Sequence, residues 1–131
     1  ELFEKLFPVI LTDRGSEFSN PKMIECEPSC GIRRTNVFYC DPSSPYQKGS
    51  IEVNHELIRR ILPKGTSFDR LTQTDIDHMM NHINSYRRAK LGNKTPYEAF
   101  IFYYGKEPLE KLGYSQIDPS CVVMTPKLFK R

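Results

Sequence analysis

No stretch of this chain is apolar for long enough to cross a bilayer, and its first residues do not run from a charged segment into an apolar one. Neither a membrane span nor a secretory signal is therefore expected, and the reading is a cytoplasmic protein. Cysteine is scarce: four residues fall at irregular places among 131, which builds no disulfide framework and suits a reducing compartment. Internal repeats, low-complexity tracts and an interdomain linker are also missing. What remains is the composition of an ordinary globular protein, long enough to bury a real core provided that its elements complete a layered architecture.

Charge is present but unevenly placed. The net charge is +3, yet residues 1–30 carry three more acids than bases, so the remainder holds a surplus of six bases. Basic clusters fall at Arg33-Arg34, Arg59-Arg60, Arg87-Arg88-Ala89-Lys90 and from Lys127 to Arg131. That scatter suits phosphate contacts, although any one cluster is equally well explained as solvated surface.

Local patterns give an element order. "ELFEKLF" sets Leu2, Phe3, Leu6 and Phe7 at helical spacing before Pro8; a helix without a starting cap predicts that further chain precedes it. "PVILT" is a short apolar run of the kind found in a strand buried on both faces. "NPKMIE" reads as a short helix, "CEPSCG" as a loop and "TNVFYC" as a second strand, followed by the proline-punctuated loop "DPSSPYQKG". From Ser50 the period becomes helical: Ile51, Val53, Leu57, Ile58, Ile61 and Leu62 share one side, and Glu52, His55, Glu56 and Arg59 the other, until Pro63 and Gly65 stop it. A helix over about 73–86 should bury Ile76, Met79, Met80 and Ile83. Another opens at "TPYE" with Thr95 as cap, Pro96 in the first helical position and Glu98 closing a capping box; its expected buried side is Phe100, Ile101 and Tyr104, with Gly105 past its end. The tail from Lys106 is less legible, with one strand predicted at "CVVM". This order predicts an α/β fold, a short parallel sheet with packed helices. Two strands alone make a poor sheet, which again predicts a missing part.

The stretch "LTDRGSEFS" ends an apolar run on a carboxylate and a glycine turn. Turn chemistry alone explains it. A second reading arises because an aspartate at the C-terminal end of a buried strand points into the crevice where α/β sheets place ligands. Glu52 sits on the polar side of the first turn of its helix and could face the same crevice. Two carboxylates brought together suit a divalent cation, which can activate a hydroxyl and stabilise the leaving oxygen of a phosphodiester.

The phrases Asp-x-Gly-x-Glu-Phe from Asp13, Gln-Lys-Gly leading to Glu52, "LIRRILPKG", and Leu-Gly-x-Lys-Thr-Pro-x-Glu occur together between about Val9 and Phe100. In that combination the chain resembles the later part of the catalytic core of bacterial DDE transposases, most closely the insertion sequence thirty family, which share the retroviral-integrase, RNase H-like fold. The resemblance implies that residues 1–105 are the C-terminal part of an integrase core and 106–131 a tail. It also implies strand cleavage and transfer in DNA transposition, integration and recombination, with Mg²⁺ or Mn²⁺ as cofactor. Asp13 matches the second aspartate of the catalytic triad and Glu52 its glutamate, both as metal ligands. The implied partners are transposon ends, target DNA and further copies in a synaptic complex, on the bacterial nucleoid. Arg14, Lys48, His55, Arg59, Arg87, Arg88 and Lys90 are the DNA-contact candidates.

The chain departs from that family in four ways. Arg14 replaces the usual asparagine, where it would either hold a phosphate or weaken metal binding; 38 residues separate Asp13 from Glu52, a few more than is usual. The basic turn reads Tyr86-Arg87-Arg88-Ala89, and no strand bearing the first aspartate precedes Asp13. The chain alone is thus expected to be inactive, and a second reading is a non-catalytic remnant that binds DNA or interferes with a complete transposase. His55 suits DNA contact or plain solvent, and Arg59 a phosphate or a local ion pair near Glu56. Cys26 and Cys30 with His78 and His82 imitate zinc spacing, but the gap between the pairs is too long for a finger, and both histidines fall opposite the buried stripe of their helix.

Overall fold

The computed structural model describes residues 2–130, apart from the side chains of Pro45 and Lys48. It divides into two compact units, Glu1–Glu52 and Val53–Arg131. Among the described residues no helix is long and apolar enough to cross a membrane.

In the first unit, α1 (Leu2–Leu6) leads into β1 (Val9–Thr12), then α2 (Lys22–Glu25) and β2 (Asn36–Tyr39). The strands pair in parallel with Val9 opposite Asn36 and Thr12 opposite Tyr39. The Cys40 amide extends the ladder to the Thr12 carbonyl at 2.7 Å. A parallel pair needs a crossover connection, and α2 lies within it, resting on β2. Glu25, the last residue of α2, ties the crossover down: it accepts from the Val37 amide at 3.0 Å and pairs with Arg33 at 3.1 Å. The Val37 bond, with Arg33 second, holds its carboxyl below the usual glutamate range.

The parallel pair and the helices agree with the α/β expectation, but the strands are not buried on both faces. Leu11 and Phe38 sit opposite one another and are 47% and 55% exposed, whereas Thr12 is buried. A run of β-branched and aromatic residues favours extended backbone whatever covers it; burial depends on neighbours that the run itself does not specify.

The second unit is helical. The end of α3 (Gly49–Ile61) supplies Leu57 and Ile61, followed by Leu62, and α4 (Gln73–Asn84) supplies Met79 and Ile83 to one core. Fully burying an Ile61 or Ile83 side chain stabilises by about 1.5–3 kcal/mol. Ile51 and Val53, placed on the same apolar side by the helical wheel, are exposed. Among the described residues the core of this unit takes Leu57, Ile58 and Ile61 from the C-terminal half of that stripe.

Helix α4 starts at a capping box, Thr72 accepting from the Asp75 amide at 3.2 Å and Asp75 accepting from the Thr72 amide at 2.9 Å. Helix α5 (Pro96–Tyr104) has the expected Thr95–Glu98 box and ends at Gly105, φ 81°. Phe100, Ile101 and Tyr104 are half-buried, and Tyr97 is the buried residue of this helix.

A short α6 (Glu107–Lys111) precedes a tail that packs Met124, Leu128 and Phe129 against the core. No strand forms at "CVVM"; a 3-10 turn, Pro119–Cys121, occupies its start. The Val123 amide donates to His82 Nδ1 at 3.0 Å instead of to a ladder. His82 is therefore only 5% exposed, contrary to its expected place on the solvent side of α4. A helical wheel records one helix, and the tail folds over the side that it marks as polar.

Candidate functional site

The segments that follow the two parallel strands carry the candidate carboxylates, Asp13 in a turn and Glu52 in the first turn of α3. Thr12 ends β1 with a buried hydroxyl that donates to the Asp13 carbonyl at 2.9 Å. The Gly15 amide donates to Asp13 Oδ1 at 3.0 Å, an Asx turn that orients the carboxyl group. Arg14 reaches across to the end of β2, its Nε 3.5 Å from the Cys40 carbonyl oxygen.

Gly15 has an ordinary extended backbone, φ −58° and ψ 151°. A Cβ there would stand 2.6 Å from Glu17 Oε2, so the absent side chain makes room for that carboxylate. Glu17 thus brings a second carboxylate beside the Asp13 turn. The spacing Asp-x-Gly-x-Glu carries that signal in the sequence.

After β2, the Asp41 amide donates to Gln47 Oε1 at 2.8 Å while Gln47 Nε2 donates to Asp41 Oδ2 at 3.0 Å. This reciprocal clasp closes the "DPSSPYQKG" loop, whose Ser43 takes a left-handed φ of 55°. The loop runs through a 3-10 turn, Pro45–Lys48, directly into α3. Glu52 then stands exposed in the first helical turn, where the helix dipole favours a negative charge. Asp13 is also exposed, so both triad candidates sit in one compact unit on loops or turns that follow the strands. Among the described residues no three His, Cys, Asp or Glu converge as a metal-holding group. The carboxylates nonetheless have the right chemistry for Mg²⁺, which takes oxygen ligands and commonly only one or two carboxylates beside its waters.

The basic candidates are dispersed. His55 and Arg59 are exposed on α3, and the side chain of Lys48 lies outside the described residues. Arg87 and Lys90 are exposed, while Arg88 is half-buried and donates from Nη2 to Asn54 Oδ1 at 2.8 Å. Its Nε is buried without a hydrogen-bond partner among the described residues. Desolvation lowers the Arg88 pKa from its ordinary value, but a guanidinium stays charged.

Arg88 also anchors its own loop, with the Arg88 amide donating to the Lys94 carbonyl at 3.1 Å and the Asn93 amide to the Arg88 carbonyl at 3.0 Å. Left-handed Gly92 and Asn93 make the turn. The second unit as a whole carries thirteen Lys and Arg against eight Asp and Glu, and the first unit six against eight.

The chain is 37% identical over 86 residues to the transposase InsI for insertion sequence element IS30A of Escherichia coli, which covers 66% of this chain and 21% of that protein. It is 33% identical over 84 residues to the transposase for IS1086 of Cupriavidus metallidurans, covering 64% of this chain and 23% of the relative. It is 30% identical over 97 residues to the transposase for IS4351 of Bacteroides fragilis, covering 74% and 28%. The matched stretch thus spans between a fifth and three-tenths of the length of these relatives. No protein-family model and no solved structure matches the chain.

Proposed function

This chain belongs with the transposases of the IS30 type over the stretch it shares with them, and on that premise we propose that it is part of a DDE catalytic core that cuts and joins DNA in transposition. The fold assigned on this reading is the later portion of an RNase H-like core. The observation that carries it is the parallel pairing of β1 and β2, with Asp13 directly after the first strand and Glu52 heading α3 in the same unit.

Asp13 and Glu52 are the residues that would hold Mg²⁺ or Mn²⁺. When bound, such ions activate the attacking hydroxyl and stabilise the leaving oxygen of a phosphodiester. The Gly15 amide fixes the direction of the Asp13 carboxylate, and the Asp41–Gln47 clasp fixes the loop from which Glu52 starts. Arg14, Lys48, His55, Arg59, Arg87, Arg88 and Lys90 would contact phosphates, which makes affinity chiefly electrostatic, salt-dependent and nearly indifferent to sequence. Synapsis with further copies on transposon ends belongs to the same reading.

A second reading is a remnant that binds DNA, or a complete transposase, without cutting. A nicking assay with Mg²⁺ or Mn²⁺ separates the two. The chain alone is expected to bind DNA without strand transfer. Extended by the preceding part of an IS30-type core, it is expected to nick, and Asp13→Asn or Glu52→Gln to abolish nicking while sparing binding. Nicking that survives Glu52→Gln refutes the catalytic assignment. An extended chain that binds but never nicks leaves the remnant reading.

A further inference from the structure

Helix α5 has an unusual surface. Its sequence, PYEAFIFYY, is apolar nearly all round, a pattern that ordinarily belongs to a helix buried on every side. Here Phe102 and Tyr103 are 75% and 74% exposed. Their ring centroids lie 5.2 Å apart with planes at 88°, so the two rings offer faces in different directions. Two large aromatics exposed side by side form an apolar patch of the kind that marks an interaction site.

The surroundings are cationic. Lys94 Nζ stands 5.4 Å from the Phe102 ring centroid. Lys94 closes the Arg88–Lys94 loop, which also carries Lys90 and follows Arg87. Residues 78–97 contain no Asp or Glu at all, and the next acid, Glu98, is engaged with Thr95 in the α5 cap. An aromatic platform at the end of an acid-free basic segment matches one chemistry well. Bases stack on the rings, and the phosphates joining them meet the cations. A duplex keeps its bases stacked on one another, so the site requires unpaired nucleotides.

We propose that Phe102 and Tyr103, with Lys94, form a stacking site for unpaired bases of single-stranded DNA, such as the end freed when a strand is cut. This rests on the DNA-acting reading above and adds to it a base-dependent contact on α5, distinct from phosphate contacts at Arg87 and Lys90.

The test is fluorescence anisotropy of the 131-residue chain with three labelled probes: a thymidine oligonucleotide, an abasic strand of the same length and a blunt duplex. The thymidine strand should bind more tightly than the abasic one. Replacing both rings, Phe102→Ala with Tyr103→Ala, should remove that difference, a loss of about fivefold to a hundredfold given the usual strength of base–aromatic stacking. Affinity for the abasic strand and the duplex should stay unchanged, as should the salt dependence. Tyr103→Phe should retain the preference, whereas Phe102→Leu, apolar without a π face, should weaken it. Lys94→Ala should weaken binding to all three probes and flatten the salt dependence.

Equal binding of thymidine and abasic strands, or an equal loss on both after ring removal, overturns the proposal while leaving the DNA-acting reading in place. No binding to any probe overturns both. Sedimentation supplies a further check: a dimer that becomes monomeric on ring removal, with DNA affinity untouched, would make this face a self-association surface. Both rings are so exposed that their removal should not unfold the chain, and melting curves verify this directly.

Discussion

The buried histidine of α4 makes the chain acid-sensitive in a definable window. His82 accepts the Val123 amide hydrogen at Nδ1, so the folded state holds a neutral ring with its proton on Nε2. Burial, and secondly the charge of His78, whose ring meets it edge-on at 4.6 Å, lowers the His82 pKa below the ordinary 6.5. The unfolded chain therefore binds this proton more readily than the folded chain. Stability is fully present above pH about 6.5, declines as pH falls below that value, and levels off once the lowered folded pKa is passed. Protonation at Nδ1 would also turn the acceptor into a donor facing the Val123 donor.

The perturbation is His82→Leu. It removes the acceptor and leaves the Val123 amide unpaired, which costs about 1–3 kcal/mol; Val123 is only half-buried, so the lower half of that range applies. In a chain of 131 residues each kcal/mol is worth about 3–5 °C in Tm. Thermal melts by circular dichroism at pH 8, 7, 6 and 5 should show the parent losing Tm below pH 6.5. The variant should start lower and slope less across the same window. Glu25 and Asp118 have lowered pKa values, so their contributions are lost only as pH falls through the carboxylate range, outside that window. An unchanged slope in the variant, or a parent that gains stability on acidification, would refute the reasoning.

Other outcomes follow from packing and backbone. Ile83 has no exposed surface, so Ile83→Ala should cost about 2–5 kcal/mol and Ile83→Val about 0.5–1.5, read from denaturant midpoints. Thr95→Ala removes the α5 cap and should cost about 1 kcal/mol, whereas Thr95→Ser should be nearly neutral. Two glycines should respond differently to alanine: Gly92, at φ 63°, should lose about 1–2 kcal/mol to left-handed strain. Gly15→Ala need only turn aside the flexible end of Glu17, and its melt should stay within about 1 kcal/mol of the parent.

Much of the local structure was legible in the sequence because local chemistry determines it. Pro8, Pro63 and Gly105 bound their helices, Thr95 and Glu98 announce a cap, and β-branched and aromatic runs mark both strands that pair. The core positions Leu57, Ile61, Met79 and Ile83 followed from a 3.6-residue period alone. At the candidate site, the positions of Asp13 after a strand and Glu52 at a helix start were legible for the same reason.

What the tertiary structure decided was whatever depends on a distant segment. The tail covers His82 and takes its Nδ1, so a residue polar by pattern became buried by contact. The same amide bond denies "CVVM" a strand ladder, and the Asp41–Gln47 clasp and the space over Gly15 for Glu17 emerge only when the loops close. Periodicity reports which side of an element is apolar; which neighbour arrives to cover it, and which donor finds which acceptor, is settled only when the chain has folded back on itself.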